Sequence, residues 1–260
     1  MSLMISTERL DCGAKTTDEA KRQLVLASRI FANEGIMDGL GHVSIRNPEN
    51  PNTFFQPRSI SPEFVCLDDI MEIDLNGDVI QGIEGKSPLG ERILHGRILA
   101  HRPDVNCVYH GHPLPIIPFT VCKNMPLEPV YIYGAIFHNG FAYYNDFDVS
   151  SGTLVVTPEE GERFARALGD KWACLMRGHG LATCADNIPM LVLDTVQLVK
   201  NAVIQLNCVQ IGGKPKLCTE EEGRAHRQIA HGNNVLVRMW NYYVERAKKA
   251  MPDVADFNHI

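Results

Sequence analysis

The sequence predicts an α/β fold, and three observations carry that expectation. Thr16-Thr17-Asp18-Glu19 has the form of a capping box, and Leu24, Ala27, Ile30 and Phe31 follow it at helical spacing. A run of strand formers, Val105-Asn106-Cys107-Val108-Tyr109, ends in His110-Gly111-His112-Pro113. Beyond it, helical and extended segments alternate to about residue 248, with no internal repeat, low-complexity tract or convincing interdomain linker. One domain over residues 1–260 is the organisation this predicts.

Composition narrows the classes of partner. The chain has 260 residues, 45% hydrophobic and 22% charged, ordinary proportions for a globular protein that buries a substantial core. A net charge of −6 with no Lys/Arg block argues against a nucleic-acid surface. The apolar runs are too short and interrupted to span a bilayer, and the N-terminus lacks the layout of a signal peptide. Eight scattered cysteines without a Cys-x-x-Cys pair then fit a reducing cytoplasm.

Taken in order, the first helix should end near Gly35, and Gly41 to Arg46 reads as a glycine turn entering a strand. Pro48, Pro51 and Pro57 suggest a loop between sheet edges. Met71 to Leu75 and Asp78 to Ile80, joined by Asn76-Gly77, read as a hairpin. Pro88 suits the first turn of a helix whose inward stripe is Glu91, Leu94, His95 and Ile98. Met125 to Tyr144 reads as strands and a long loop, with His138 in the loop. Gly152 to Thr157 reads as a strand, Pro158 to Leu168 as a helix and Trp172 to Arg177 as another strand. Ile188 to Ile211 predicts a long apolar helix, and Glu220 to Lys248 a final one.

The chemistry concentrates in a few positions. Side chains two apart on a strand share a face, so His110 and His112 can reach one divalent ion. Hydrogen-bonding histidines at a strand end would look the same. Gly178-His179-Gly180 frees the backbone around a third imidazole for close approach, although an exposed turn histidine fits as well. Glu91, a carboxylate heading an apolar stripe, is either charge placement at a helix N-terminus or a ligand or acid/base beside a metal. Three imidazoles, a carboxylate and an open position would make a catalytic metal site, a Lewis acid beside a breaking C–C or C–H bond.

These residues also carry a resemblance. Gly41-His42-Val43-Ser44, Pro88-Leu89-Gly90-Glu91, Arg102-Pro103-Asp104-Val105-Asn106, His110-Gly111-His112-Pro113 and Gly178-His179-Gly180 are similar, in order and spacing, to the class II aldolase/adducin family. The likeness runs from about residue 17 to 213. It implies a three-layer α/β/α fold with a central, largely antiparallel sheet, assembled as a homotetramer with active sites at subunit interfaces. It implies a divalent ion held by His110, His112 and His179, zinc first with manganese or iron as alternatives, and Glu91 as catalytic carboxylate. By the same resemblance Tyr242, with Arg238 one helical turn away, would reach a neighbour's site.

The departures bear on substrate. Sugar-phosphate aldolases of the family have Gly-Asn where this chain has Gly41-His42, and hydroxyl residues where it has Leu89 and Gly90. Their phosphate loop is replaced by Ser61-Pro62-Glu63-Phe64, whose Glu63 would repel a dianion. The pattern resembles instead the branch of metal-dependent decarboxylases and oxo-acid aldolases. His42, Arg58 and Arg177 are candidates to hold a substrate carboxylate, although arginines are commonly committed to structural ion pairs. The expected function is a metal-dependent carbon–carbon lyase, decarboxylase or aldolase, for a small non-phosphorylated hydroxy- or oxo-carboxylate. An adducin-like scaffold and a non-haem iron oxygenase on the same ligands are the alternatives.

Overall fold

A mixed eight-stranded sheet organises the chain, seen here in a computed structural model that describes residues 11–254 and 257. The amino-terminal stretch read against a signal peptide lies largely outside them. Helix α1 (Thr17–Asn33) opens on the capping box, with Thr16 accepting from the Glu19 N–H. The strands are β1 (His42–Arg46), β2 (Thr53–Pro57), β3 (Ile70–Asp74) and β4 (Val79–Gln81), then β5 (Cys107–Gly111) after helix α2 (Arg92–His101). A short helix α3 (Ile117–Val121), β6 (Ala142–Tyr144), α4 (Pro158–Leu168), β7 (Ala173–Met176) and β8 (Gly180–Ala185) follow, and then α5 (Ile188–Gln210), α6 (Glu220–Ala230) and α7 (Asn233–Ala250).

The strands lie in the order β4-β3-β2-β1-β5-β8-β7-β6, and every neighbour pair is antiparallel except β6–β7. Alternation sends successive side chains to opposite faces. Phe55, Cys107, Tyr109 and Leu175 pack with α1, α5 and α7, whereas Phe54, Val108, Cys174 and Met176 pack with α2 and α4. Helices therefore cover both faces, the three layers that were expected. Among the described residues no helix is long and apolar enough to cross a membrane.

Five local expectations are corrected. Residues 53–57 form β2, because Pro57 stands at the strand end, where a missing N–H costs little. Helix α2 begins at Arg92, so Glu91 is its N-cap rather than part of its stripe. Residues 152–157 form no strand, because the N–H groups of 152–154 donate to carbonyls of the preceding turn and those of 155–157 to carboxylates. Val155 N–H donates to Glu91, and Val156 and Thr157 N–H donate to Glu160. Strand β8, which was not expected, is built from small residues whose strand character comes from pairing on both sides with β5 and β7. The final helix is broken at His231-Gly232, where His231 is tied to the buried carboxylate of Asp194 at 2.8 Å.

The loop at 125–131 is held by side chains of α5. Asn201 Oδ1 accepts from the Val130 and Tyr131 N–H groups, and Gln205 bonds both Glu128 and Pro126. A buried amide thus replaces a sheet partner.

Strands β5 and β8 come close together where β8 begins. A Cβ on Gly180 would stand 2.2 Å from the Gly111 carbonyl oxygen, so only glycine lets β8 lie this close to β5. Gly180→Ala is expected to lower stability by about 1–3 kcal/mol through overpacking. Urea unfolding would read this as a lower midpoint, and an unchanged midpoint would mean that the strands can part freely.

Candidate metal and substrate site

The site sits where β1, β5 and the β7–β8 turn meet the start of α2. His110, at the end of β5, is wholly buried. Its Nδ1 lies 3.1 Å from the Leu181 carbonyl on β8, which can only accept, so Nδ1 carries the hydrogen and Nε2 is a bare lone pair. His112 follows two residues on and shares the cluster, as the strand alternation required. His179 comes from the turn, where Gly178 takes a left-handed φ of 64° and Gly180 admits the close approach to β5. The ring centroids lie 4.9 Å (His110–His112), 4.9 Å (His110–His179) and 5.0 Å (His112–His179) apart.

Glu91 completes the set from the N-cap of α2. Its Oε1 accepts from the Val155 N–H at 3.0 Å, and its Oε2 lies 3.3 Å from His110 Nε2 and 3.6 Å from His179 Nε2. One ligand atom from each of Glu91, His110, His112 and His179 falls within 4.8 Å of all the others. His110 Nε2 is buried with no hydrogen-bond partner. An unpartnered lone pair facing a carboxylate is costly without a cation between them, and a divalent ion satisfies both. The donor set therefore fits such an ion.

Electrostatics favours the ligand forms. Burial pushes the Glu91 carboxyl up, but the His110, His42 and His179 imidazoles outweigh it and hold it below the usual carboxylate range. Burial, followed by the repulsion that a positive charge on His110 would exert, lowers His42 to about 3 and His112 to about 4. His179 is lowered by the same two causes. Imidazoles that resist protonation keep lone pairs available to a metal.

The cluster opens into a cavity of about 690 Å³. His42, Leu89 and Gly90 line it, as does Glu91. Arg58 does not: its Nε donates to Asp69 Oδ1 at 2.6 Å. Arg177 stands exposed before Gly178 and is also absent from the lining, and Glu63 is exposed on the turn Pro62–Phe64 rather than facing the cavity. Tyr242 is half exposed on α7, against Arg246, and lines no part of this cavity. Arg238 does not line it either.

Other site residues were not singled out from sequence. Ser59, Ser61 and Thr153 line the cavity, Thr153 from a left-handed φ of 64°. That is a strained conformation for a β-branched residue. Behind His42, His95 Nε2 lies 2.7 Å from His42 Nδ1, and Ser44 Oγ lies 2.7 Å from His95 Nδ1. One signal was available, since His95 falls four residues after Glu91 on the expected inward stripe.

The chain belongs to the class II aldolase and adducin family, matching its N-terminal domain over residues 22–206. Among its relatives is a 3,4-dihydroxyphthalate decarboxylase of Arthrobacter keyseri, 30% identical over 210 residues, which cover 76% of this chain and 82% of the relative. Decarboxylase tropJ of Talaromyces stipitatus is 27% identical over 205 residues, 71% of this chain and 74% of the other. An L-fuculose 1-phosphate aldolase from Glaciozyma antarctica shares the fold, with a TM-score of 0.74 at 23% identity and 90% of each chain covered. These relatives are decarboxylases and an aldolase, all lyases.

A pH dependence follows for the metal-free protein. His42 and His112 titrate in the fold near 3 and 4, against about 6.5 unfolded, and His95 is lowered well below that value by burial. Between those limits the unfolded chain binds protons that the folded one refuses, so stability falls as pH falls from about 6.5 towards 4. Each such histidine contributes about 1.4 kcal/mol per pH unit inside its window. Urea midpoints between pH 7 and 5 should fall accordingly, and a flat profile would contradict burial of neutral imidazoles.

Proposed function

We propose that this protein is a metal-dependent carbon–carbon lyase that decarboxylates a small non-phosphorylated hydroxy- or oxo-carboxylate, hydroxylated aromatic acids first. The observation that carries this reading is the convergence of Glu91, His110, His112 and His179 beside a cavity whose described lining holds no Lys or Arg. A phosphate dianion would meet no cationic side chain there. An aromatic acid would find Leu40, Ile60, Leu89 and Leu154 for its ring, and His42, Ser59, Ser61 and Thr153 for its oxygens. Likeness to the two decarboxylases supports loss of carbon dioxide over aldol cleavage.

In this reading His110, His112 and His179 hold a divalent ion, zinc first, with manganese and iron also suited to the donor set. When bound, the ion supplies a Lewis acid that polarises substrate oxygens beside the breaking bond. Glu91, kept anionic by its surroundings, takes the proton of the substrate hydroxyl and delivers it to the carbon bearing the carboxylate. The C–C bond then breaks, its electron pair passes into the ring and oxygen, and carbon dioxide leaves. The hydroxyl recovers its proton from water. The Val155 N–H holds one Glu91 oxygen, so the other keeps a fixed aim.

We place the reaction in the cytoplasm, in keeping with eight free cysteines. We also infer a homotetramer with sites near its interfaces. Tyr242, exposed and remote from its own cavity lining, would then serve a neighbouring copy.

Carbon dioxide release from 3,4-dihydroxyphthalate and simple hydroxybenzoates, by protein loaded with zinc, manganese or iron, tests the reading. Glu91→Gln should retain its metal and lose about 10²–10⁴-fold in turnover. His110→Ala or His179→Ala should lose metal and activity together. Undiminished turnover in Glu91→Gln would remove Glu91 from its role, and wild-type protein that binds none of these ions would sink the proposal.

A further inference from the structure

Three buried polar side chains form a chain that ends at the cavity. Ser44 on β1 and His95 on α2 are wholly buried, and His42 on β1 is 8% exposed. Their nitrogens and hydroxyl are linked at 2.7 Å and 2.7 Å, Ser44 Oγ to His95 Nδ1 and His95 Nε2 to His42 Nδ1. Strand pairing sets His42 opposite His110, with ring centroids 5.1 Å apart. Since Nδ1 of His42 is committed to His95, its Nε2 is the nitrogen that faces the cavity His42 lines.

The direction of the hydrogens can be worked out from the far end. Two imidazoles joined nitrogen to nitrogen share one hydrogen, so one of the two atoms is a bare acceptor. Among the described residues Ser44 Oγ has His95 Nδ1 as its hydrogen-bond partner and no other. Were Ser44 to accept, its own hydrogen would be buried without a partner, at a cost of about 1–3 kcal/mol. Ser44 therefore donates to His95 Nδ1. His95 must then carry its hydrogen on Nε2 and donate to His42 Nδ1, which leaves the His42 hydrogen on Nε2. The side-chain amide nitrogen of Gln56 lies 3.5 Å from the same His42 Nδ1 and can only donate, in agreement with an accepting Nδ1.

We propose that Ser44 and His95 are positioning residues that lock His42 in its Nε2–H form. The lock gives the cavity wall beside Glu91, His110, His112 and His179 a neutral hydrogen-bond donor for a substrate carboxylate or developing oxyanion. What the donor meets rests on the lyase reading above; the lock itself does not. A neutral donor suits the proposed chemistry. A carboxylate that leaves as carbon dioxide loses its charge, so a cation gripping it would stabilise the reactant more than the transition state. An N–H group orients the same oxygen without that bias.

Histidine-selective ¹⁵N spectra read the lock directly, with the His42 signals assigned by their loss in His42→Gln. The expected wild-type form has a bare Nδ1 and a protonated Nε2. Ser44→Ala should turn His42 into a mixture of tautomers, whereas Ser44→Thr, which keeps the hydroxyl, should retain the wild-type form. If Ser44→Ala does not fold, Ser44→Cys, a weaker donor of similar shape, should give a partial mixture. With 3,4-dihydroxyphthalate, Ser44→Ala should lose about tenfold in kcat/KM with metal content unchanged, the scale of a lost supporting hydrogen bond. A protonated Nδ1 in the wild type, or a His42 spectrum indifferent to the loss of the hydroxyl, overturns the lock. Unchanged kcat/KM in Ser44→Ala overturns its role in turnover. A wild type that releases no carbon dioxide counts against the lyase reading, and the spectra still decide the lock.

Discussion

Three imidazoles and a carboxylate drawn within 4.8 Å of one another, mostly out of water, are an unstable arrangement unless something positive stands among them. The rest of the molecule is arranged to keep them there. Leu181 on β8 takes the hydrogen of His110, Val155 N–H takes one oxygen of Glu91, and the bare backbone at Gly180 lets β8 press against β5. Each contact removes a way for the cluster to relax. The lone pairs left over converge on one point, and this convergence is what fits the group to a divalent ion.

The same economy explains the irregular stretch before α4. Residues 155–157 look strand-like in sequence, yet their three N–H groups go to Glu91 and Glu160. Glu160 in turn closes the capping box of α4 with Thr157. One loop thus fastens the site carboxylate to the start of a helix that packs on α2, the element that carries Glu91 at its head. Strain at Thr153, just before this loop, sits in the cavity wall.

Much of this was legible in sequence because it follows periodicity. The His110–His112 spacing placed two imidazoles on one face, and glycines around His179 predicted a close backbone approach. The three layers of the fold came with the family resemblance. What was not legible depends on partners distant in sequence. Strand β8 lacks a β-branched run and exists because β5 and β7 flank it. Arg58 was open to either a substrate carboxylate or a structural ion pair, and the partner that decides for the ion pair, Asp69, lies eleven residues on and folded back beside it. Glu63 was expected to face the substrate and instead stands outside the cavity, a matter of which side of a short turn meets solvent. His95 could be placed on an inward face, but its bond to His42 required knowing that α2 lies over β1.

The loss of both arginines from the expected site changes the argument about substrate. A cationic grip would have been easy to reconcile with any anion, phosphate included. The described lining offers only hydroxyls, backbone, one histidine edge and apolar side chains around the ligand set. Binding energy in such a cavity comes from burying an apolar body and from a few aimed hydrogen bonds, with the charge interaction left to a divalent ion where one is bound. That division suits a flat acid whose carboxylate must shed its charge as it leaves, since nothing on the wall holds that charge in place. It suits a sugar phosphate poorly, because the permanent dianion would be desolvated without a counter-charge. The lack of Lys and Arg in the described lining, more than any residue it contains, is what supports the proposed decarboxylation over cleavage of a phosphorylated substrate.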